Sequence, residues 1–157
     1  MIRRSRAKVL PTIPSDVQWI LIEGLRDQDR DEIRAQCEDV DRGVWDTVEA
    51  SGLLAFTVHV DGVPAGLFGV APTGNPDTGC VWMVGTDRLL EIRRDLVFEA
   101  RRWIDYFNEI YPTLTNYVDA RNAVSVCWLE VLGFEFTPTG DYVTPDGVVF
   151  REFQRCV

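Results

Sequence analysis

The chain has 157 residues, with 16 basic and 25 acidic side chains, one histidine and a formal net charge of −9. This length suits one domain of ordinary size, which can fold without a metal or a disulfide. Hydrophobic residues make up 46% of the chain, which excludes a mainly disordered protein, and no apolar run approaches the ~18 residues of a membrane span. The acidic balance argues against binding to nucleic-acid phosphates and is compatible with a basic partner surface.

The start of the chain is basic but has no apolar stretch before Pro11 of the kind found in a secretion signal, so we expect a protein that is not secreted. We interpret residues 1–5 as a flexible basic arm and residues 6–157 as a single domain. The cysteines lie far apart and the chain has a single histidine, which predicts neither a metal site nor a disulfide framework. We expect four separate, mostly buried thiols at Cys37, Cys80, Cys127 and Cys156.

Apolar periodicity predicts the elements of the first half of the chain. The first is a strand over residues 7–10. Three helices follow: one after the cap residues 14–16, one over residues 27–34 and one near Trp45. Three strands come next, over residues 53–60, 63–71 and 80–85. The dipeptide Asp61-Gly62 is a tight-turn signal. The strands on either side of it should therefore pair as a hairpin.

The strongest periodic segment covers residues 89–110, where apolar side chains recur every three or four positions. It predicts a long amphipathic helix that is stopped by Pro112. Asn122 can cap a second helix that runs through Leu132, and Gly133 is suited to end it.

The last elements are strands. Residues 117–118 predict a short strand between the two helices, and residues 134–142 and 148–153 predict a closing hairpin. A strand, a helix and a strand in succession imply a parallel pair of strands joined by a right-handed crossover. The order as a whole predicts an α/β fold with a mixed sheet of six to seven strands and helices on both faces.

Two sets of residues resemble a known family. The segment 122–134 has asparagine at the helix start, a small residue three positions later and Gly133-Phe134 after the helix, and it resembles the last conserved block of the GNAT (Gcn5-related N-acetyltransferase) fold. The segments 82–87, 101–103 and 116–122 resemble the internal virion protein A family of T7-like phages, which are short GNAT-like proteins. The resemblance implies a GNAT-like sheet.

The resemblance also implies where coenzyme A would bind. A GNAT enzyme holds the pyrophosphate at the start of the helix after the fourth strand, usually with a Gln/Arg-x-x-Gly-x-Gly/Ala pattern whose backbone N–H groups approach the phosphates. Here the turn reads Gly-Thr-Asp-Arg-Leu-Leu-Glu over residues 85–91, with one glycine and two acidic residues. Candidate cofactor-binding residues are Gly85, Thr86, Arg88 and Asn122, and we expect coenzyme A to bind weakly or not at all.

An acetyltransferase also needs a general acid and a base. The tyrosine that is frequent in the family seven residues after the helix-start asparagine is replaced here by Leu129. Candidate catalytic residues are Tyr117 and Asp119, near the split between the parallel strands where that fold has its ligand cleft. The alternative interpretations are a core aromatic for Tyr117 and a local ion pair with Arg121 for Asp119. Further candidate bases are Glu23, Asp27 and Glu32.

Two functions follow from these interpretations. The first is a phage virion-associated or assembly protein on a non-catalytic GNAT fold, without a cofactor, found in the host cytoplasm during infection and in the virion. Its partners would be other virion proteins or further copies, contacted through the acidic body and through a mobile arm of basic residues near the start, namely Arg3, Arg4, Arg6 and Lys8. The alternative is an active acetyl-CoA-dependent N-acetyltransferase that modifies a host or phage protein. Fold alone does not decide between them.

Overall fold

The computed structural model describes residues 5–157, which contain five α-helices and eight β-strands. The helices are Pro14–Glu23 (α1), Asp27–Arg34 (α2), Val40–Ser51 (α3), Arg93–Ile110 (α4) and Ala123–Val131 (α5). The strands are Ala7–Pro11 (β1), Ala55–Val60 (β2), Val63–Pro72 (β3), Thr78–Gly85 (β4), Thr113–Asp119 (β5), Glu135–Phe136 (β6), Tyr142–Val143 (β7) and Val149–Cys156 (β8). These residues divide into two compact units, a first of residues 5–71 and 82–98 and a second of residues 72–81 and 99–157.

The first unit contains an antiparallel arrangement of β1, β2 and β3. The predicted hairpin between β2 and β3 is confirmed. Its turn places Asp61 at φ +50° and Gly62 at φ +82°, the left-handed backbone that a two-residue type I′ turn requires. This conformation is costly for most side chains but accessible to aspartate and glycine, which explains the dipeptide.

Two hydrophobic clusters stabilise the first unit. One combines residues of α1 and α3 with β3 and includes Val17, Ile20 and Val44. The other combines β2 and β3 with the turn after β4 and includes Val58 and Leu89. The helical spacing of the apolar residues in the sequence is therefore explained by burial within this unit.

Strands β4 and β5 are parallel in the second unit, as predicted, with Thr78–Cys80 paired with Thr113–Thr115. At the next position the hydrogen bond to β4 comes from a side chain and not from the backbone. The Asn116 side-chain amide nitrogen donates to the Val81 carbonyl at 2.7 Å. The Asn116 side-chain oxygen accepts the Tyr117 N–H at 2.8 Å. The regular ladder therefore ends just before Tyr117, at the predicted split. Strand β8 pairs antiparallel with β5, β6 and β7.

The predicted helix ends are confirmed in the second unit. Helix α4 ends before Pro112, and the buried Asn108 side chain donates to the Tyr111 and Pro112 carbonyls at 3.1 and 3.2 Å. Asn122 caps α5 by accepting the Ser125 N–H at 3.2 Å. Gly133 follows α5 with φ +88°, a left-handed conformation that favours glycine.

The predicted count of six to seven strands is too low. The segment 134–142, predicted as one strand, is divided into β6 and β7 by a 3₁₀ turn at Pro138–Gly140. Proline has no N–H to donate to a strand ladder. Strand pairing therefore stops at Pro138 and resumes at Tyr142.

The basic start of the chain is only partly described. Most of the predicted arm lies outside the described residues, because the description begins at Ser5. Arg6 and Lys8 do not belong to a free arm. The Arg6 guanidinium contacts Asp61 at 2.6 Å and Glu91 at 2.9 Å, and Lys8 lies within β1.

The four cysteines form no disulfide within residues 5–157, and the prediction of mostly buried thiols is wrong. Cys37 and Cys80 are half-buried, and Cys127 and Cys156 are exposed. Residues 5–157 contain no group of three or more metal-ligating side chains. None of the helices in these residues has both the length and the hydropathy of a transmembrane span.

Candidate functional site

The turn between β4 and α4, in the first unit, holds the candidate cofactor residues Gly85, Thr86 and Arg88. The Gly85 N–H donates to the Asp29 carboxylate at 2.9 Å, and the Thr86 N–H donates to the Ala65 carbonyl at 2.8 Å. The Arg88 N–H donates to the Thr86 hydroxyl at 3.4 Å. These backbone donors, which the resemblance assigns to a pyrophosphate, are therefore already paired within the protein.

The Asp29 carboxylate that accepts the Gly85 N–H is buried, since the Asp29 side chain is only 9% exposed. It accepts two further hydrogen bonds from the Arg26 guanidinium, at 2.9 and 3.2 Å. Burial raises the pKa of Asp29 above its ordinary value, while Arg26 and the Gly85 N–H act in the opposite direction. The Arg26 N–H donates to the Gly85 carbonyl at 2.8 Å. Side-chain and backbone bonds thus join α2 to the end of β4.

Packing within the first unit accounts for the glycine at position 85. A Cβ atom there would lie 2.2 Å from Leu89 Cδ1 and 3.2 Å from the Ala65 carbonyl oxygen. The nearby Arg88 side chain donates to Glu23 at 2.8 Å. The residues of this turn therefore do not fit a pyrophosphate held in the family's usual manner.

A group of three side chains surrounds Tyr117 in the second unit. Tyr117 and Glu152 are directly opposite each other in the β5–β8 register, so both side chains lie on one face of the sheet. The Tyr117 hydroxyl donates to the Glu152 carboxylate at 3.3 Å. The Tyr142 ring meets the Tyr117 ring edge-on, with centroids 4.9 Å apart. We call Tyr117, Tyr142 and Glu152 the tyrosine–glutamate cluster.

Both phenols of the tyrosine–glutamate cluster keep their protons at neutral pH. Loss of solvent contact is the largest cause that raises the pKa of Tyr117, and the Glu152 charge and hydrogen bond raise it further. Burial, together with the neighbouring Tyr117, raises the pKa of Tyr142. Tyr117 nevertheless remains 36% exposed, so part of the residue is accessible from solvent.

Asp119, Arg121 and Asn122 lie together at the end of β5. The Asp119 carboxylate accepts the Arg121 N–H at 2.9 Å and a guanidinium N–H at 2.7 Å. The hydrogen bond from Arg121 is the largest cause that lowers the pKa of Asp119. A carboxylate held in this state is a weak base. This geometry matches the interpretation of Asp119 as the partner of Arg121 in a local ion pair, and that of Asn122 as a helix cap. A catalytic role for Asp119 and a cofactor role for Asn122 stay predictions.

The lowered pKa of Asp119 predicts a pH dependence of stability. Because its pKa is below the unfolded value of about 3.9, Asp119 contributes stability above about pH 4 that is lost as the pH falls through the folded pKa. The free energy of unfolding of Asp119→Asn should therefore fall below that of the wild type at neutral pH, and the gap should close in acid. Urea denaturation over a pH series measures it. Asp77→Asn, an exposed turn residue, is the control; an equal gap at all pH values would contradict the assignment.

The histidine does not join any of these groups. His59 lies in β2 of the first unit, with Nε2 at 3.6 Å from the buried Asp16 carboxylate. Its Nδ1 atom is buried and has no hydrogen-bond partner in the described part of the chain. The Asp16 carboxylate also accepts the Thr57 hydroxyl at 2.9 Å and the Ile13 N–H at 3.1 Å. Its hydrogen bonds thus stabilise the start of α1.

The candidate residues therefore form two groups. Gly85, Thr86 and Arg88 share one turn of the first unit, and Tyr117, Asp119 and Asn122 follow one another along and after β5 in the second. Sequence reasoning missed Glu152 and Tyr142. The only sequence signal for Glu152 is its place in a strand predicted near the end of the chain, which does not reveal its register against Tyr117.

The sequence matches no family model and no curated protein. The structure, in contrast, is similar to solved acetyltransferases over nearly the whole chain. A GNAT-family acetyltransferase from Bacillus anthracis is 12% identical, with a TM-score of 0.69 and coverage of 99% of this chain and 97% of that one. The fold is that of the GNAT acetyltransferases.

Two further GNAT-fold structures carry specific names. The ribosomal-protein-S18-alanine N-acetyltransferase from Escherichia coli is 16% identical, with a TM-score of 0.62 and coverage of 96% of this chain and 94% of that one. The spermidine N-acetyltransferase from Vibrio cholerae, solved in complex with CoA and spermine, is 12% identical, with a TM-score of 0.66 and coverage of 96% and 95%.

These GNAT-fold neighbours bear on three predictions. The prediction of a non-catalytic virion or assembly protein is wrong, because the similar structures with an activity in their names are acetyltransferases. Nothing in the comparisons supports the resemblance to the internal virion protein A family or a place in a phage particle. The expectation that no cofactor binds is not supported either, since one neighbour was solved with CoA. The alternative, an N-acetyltransferase, is better supported.

Proposed function

We propose that this chain is a GNAT-type N-acetyltransferase, which transfers an acetyl group from acetyl-CoA to an amine. The observation that carries the proposal is structural similarity to several N-acetyltransferases over nearly the full length of both chains. The neighbours act on different acceptors by name, a ribosomal-protein alanine and spermidine. The similarity therefore supports the reaction class and leaves the acceptor to this chain's own residues.

The tyrosine–glutamate cluster supplies the proton chemistry that this reaction needs. Tyr117 holds a proton on its hydroxyl at neutral pH and is partly exposed. It can therefore protonate the leaving group of the reaction, which is the thiolate of coenzyme A. Glu152 can take the proton that the amine nitrogen loses as the amide bond forms. A proton on Glu152 can then return to Tyr117 through the hydrogen bond that joins them. Tyr117 is thus the proposed general acid and Glu152 the proposed base.

We assign the pyrophosphate of acetyl-CoA to no residue of the turn after β4. The Gly85 and Thr86 N–H groups donate to protein acceptors, and the Arg88 guanidinium is paired with Glu23. The proposal therefore depends on the fold and on the tyrosine–glutamate cluster, not on a conventional phosphate-binding turn.

Release of free thiol from acetyl-CoA tests the proposal. The full chain is incubated with acetyl-CoA and, in separate reactions, n-butylamine, spermidine and a lysine-containing peptide, with an amine-free reaction as the blank. We expect thiol release that depends on both the protein and an amine. Release at the blank rate with every amine, from protein shown to be folded by its circular dichroism, would overturn the proposal.

A further inference from the structure

The tyrosine–glutamate cluster has an unusual charge balance for an arginine-rich chain. The Glu152 carboxylate accepts the Tyr117 hydroxyl, and within residues 5–157 no arginine or lysine forms an ion pair with it. The neighbouring Arg151 instead places its guanidinium 4.0 Å from the centre of the Phe136 ring. Since side chains alternate along a strand, Arg151 points away from the face of Glu152. A partly exposed anion thus lies beside two aromatic rings, and no cation of the described residues is ion-paired with it.

Packing holds the members of the cluster in place. Tyr142 stacks on the fully buried Phe150, with centroids 5.3 Å apart and planes inclined by 7°. Glu152 packs against Gly140, where a Cβ atom would lie within 2.0 Å of the carboxylate oxygen Oε2. The glycine therefore leaves the space that the carboxylate occupies. The Glu152 N–H also donates to the Asp141 carboxylate at 3.1 Å, which joins the β6–β7 connection to β8.

These features suit one class of ligand. An ammonium group is attracted both by a carboxylate and by the faces of aromatic rings within about 6 Å. The two phenols are neutral at physiological pH, so their rings keep the negative faces that attract cations. A carboxylate or phosphate would be repelled by Glu152, and an uncharged alcohol would gain nothing from its charge.

We propose that the tyrosine–glutamate cluster is the acceptor subsite, and that it binds primary alkylammonium groups such as a lysine side chain or the end of a polyamine. Glu152 forms the charge-assisted hydrogen bond, and the Tyr117 and Tyr142 rings contact the ammonium and the methylene groups next to it. The part of this subsite in acetyl transfer rests on the proposed function, but ammonium binding itself needs no donor and can be measured alone.

An NMR titration of the full chain with n-butylammonium chloride tests this subsite, with n-butanol as the neutral probe of the same shape. We expect shifts of the Tyr117 and Tyr142 ring signals with n-butylammonium at concentrations where n-butanol causes none. Glu152→Gln should weaken binding about tenfold or more, because hydrogen bonds to charged groups contribute about 1.5–3 kcal/mol. Tyr142→Leu should weaken it about two- to fivefold, as an exposed cation–π contact does, whereas Tyr142→Phe retains the ring.

Glu130→Gln, an exposed helix residue of the second unit, is the matched control for loss of one negative charge. Unchanged affinity in folded Glu152→Gln, or equal binding of n-butanol and n-butylammonium, would overturn the subsite. If the wild type binds n-butylammonium but never acetylates it or any other amine, the proposed function fails and the subsite stands. If it acetylates n-butylamine with the same KM in Glu152→Gln, the subsite fails and the proposed function stands.

Discussion

Replacing Tyr117 with phenylalanine should lower kcat for acetyl transfer by about 10²- to 10⁴-fold, the usual contribution of a general acid. The substitution removes one oxygen atom and keeps the ring, so the contact with Tyr142 and the fold are retained. We expect only a small change in the KM for the amine. Because the pKa of Tyr117 is raised, the wild-type rate should not fall through ionisation of this residue below about pH 10.

Tyr106→Phe is the matched control for this experiment. Tyr106 lies on α4 in the same unit, and its ring packs edge-on against Trp103. The loss of its hydroxyl should leave kcat within about twofold of the wild type, the range of most surface changes. A Tyr117→Phe variant that also stays in this range would place the general acid elsewhere.

Replacing Asp29 with alanine should lower the free energy of unfolding by about 3–5 kcal/mol, the cost of breaking a buried ion pair by removing one partner. The substitution leaves the Gly85 N–H and the Arg26 guanidinium without their acceptor. It also separates α2 from the end of β4. Urea denaturation of the full chain measures the loss.

Two variants of α2 separate this effect from a loss of charge. Asp27, in the same helix, is 94% exposed and forms an ion pair with Arg30 at 3.6 Å, so Asp27→Ala should cost no more than about 0.5 kcal/mol. Asp29→Asn keeps an oxygen that can accept the Gly85 N–H and should cost less than Asp29→Ala. Equal stabilities of the Asp27→Ala and Asp29→Ala variants would show that Asp29 does not join these elements.

Much of the fold could be predicted because the signals are local. The turn at Asp61-Gly62, the cap at Asn122 and the end of α5 at Gly133 each depend on a few neighbouring residues. The extra strand depends on a local signal too, since Pro138 and Gly140, which form the 3₁₀ turn, lie inside the segment predicted as one strand. The exposure of Cys127 and Cys156 depends on what packs around them, which the spacing of cysteines does not reveal.

The candidate site was harder to predict because its contacts join distant parts of the chain. Asp29 and Gly85 are 56 positions apart, and no periodicity of the sequence indicates that a helical aspartate closes the turn after β4. Tyr117 was a candidate, but its partner Glu152 lies 35 positions away. That contact depends on the register of β5 against β8. The hydrophobic pattern determines which face of the sheet a residue occupies, but not which residue of the neighbouring strand lies opposite it.

The most direct test of the account is the identification of the reaction product by mass spectrometry. The full chain is incubated with acetyl-CoA that carries a ¹³C-labelled acetyl group and with n-butylamine, spermidine or a lysine-containing peptide. We expect a labelled amide on the amine nitrogen, formed by the wild type and strongly reduced with Tyr117→Phe. Wild-type protein that binds these amines and forms no labelled amide with any of them would contradict it.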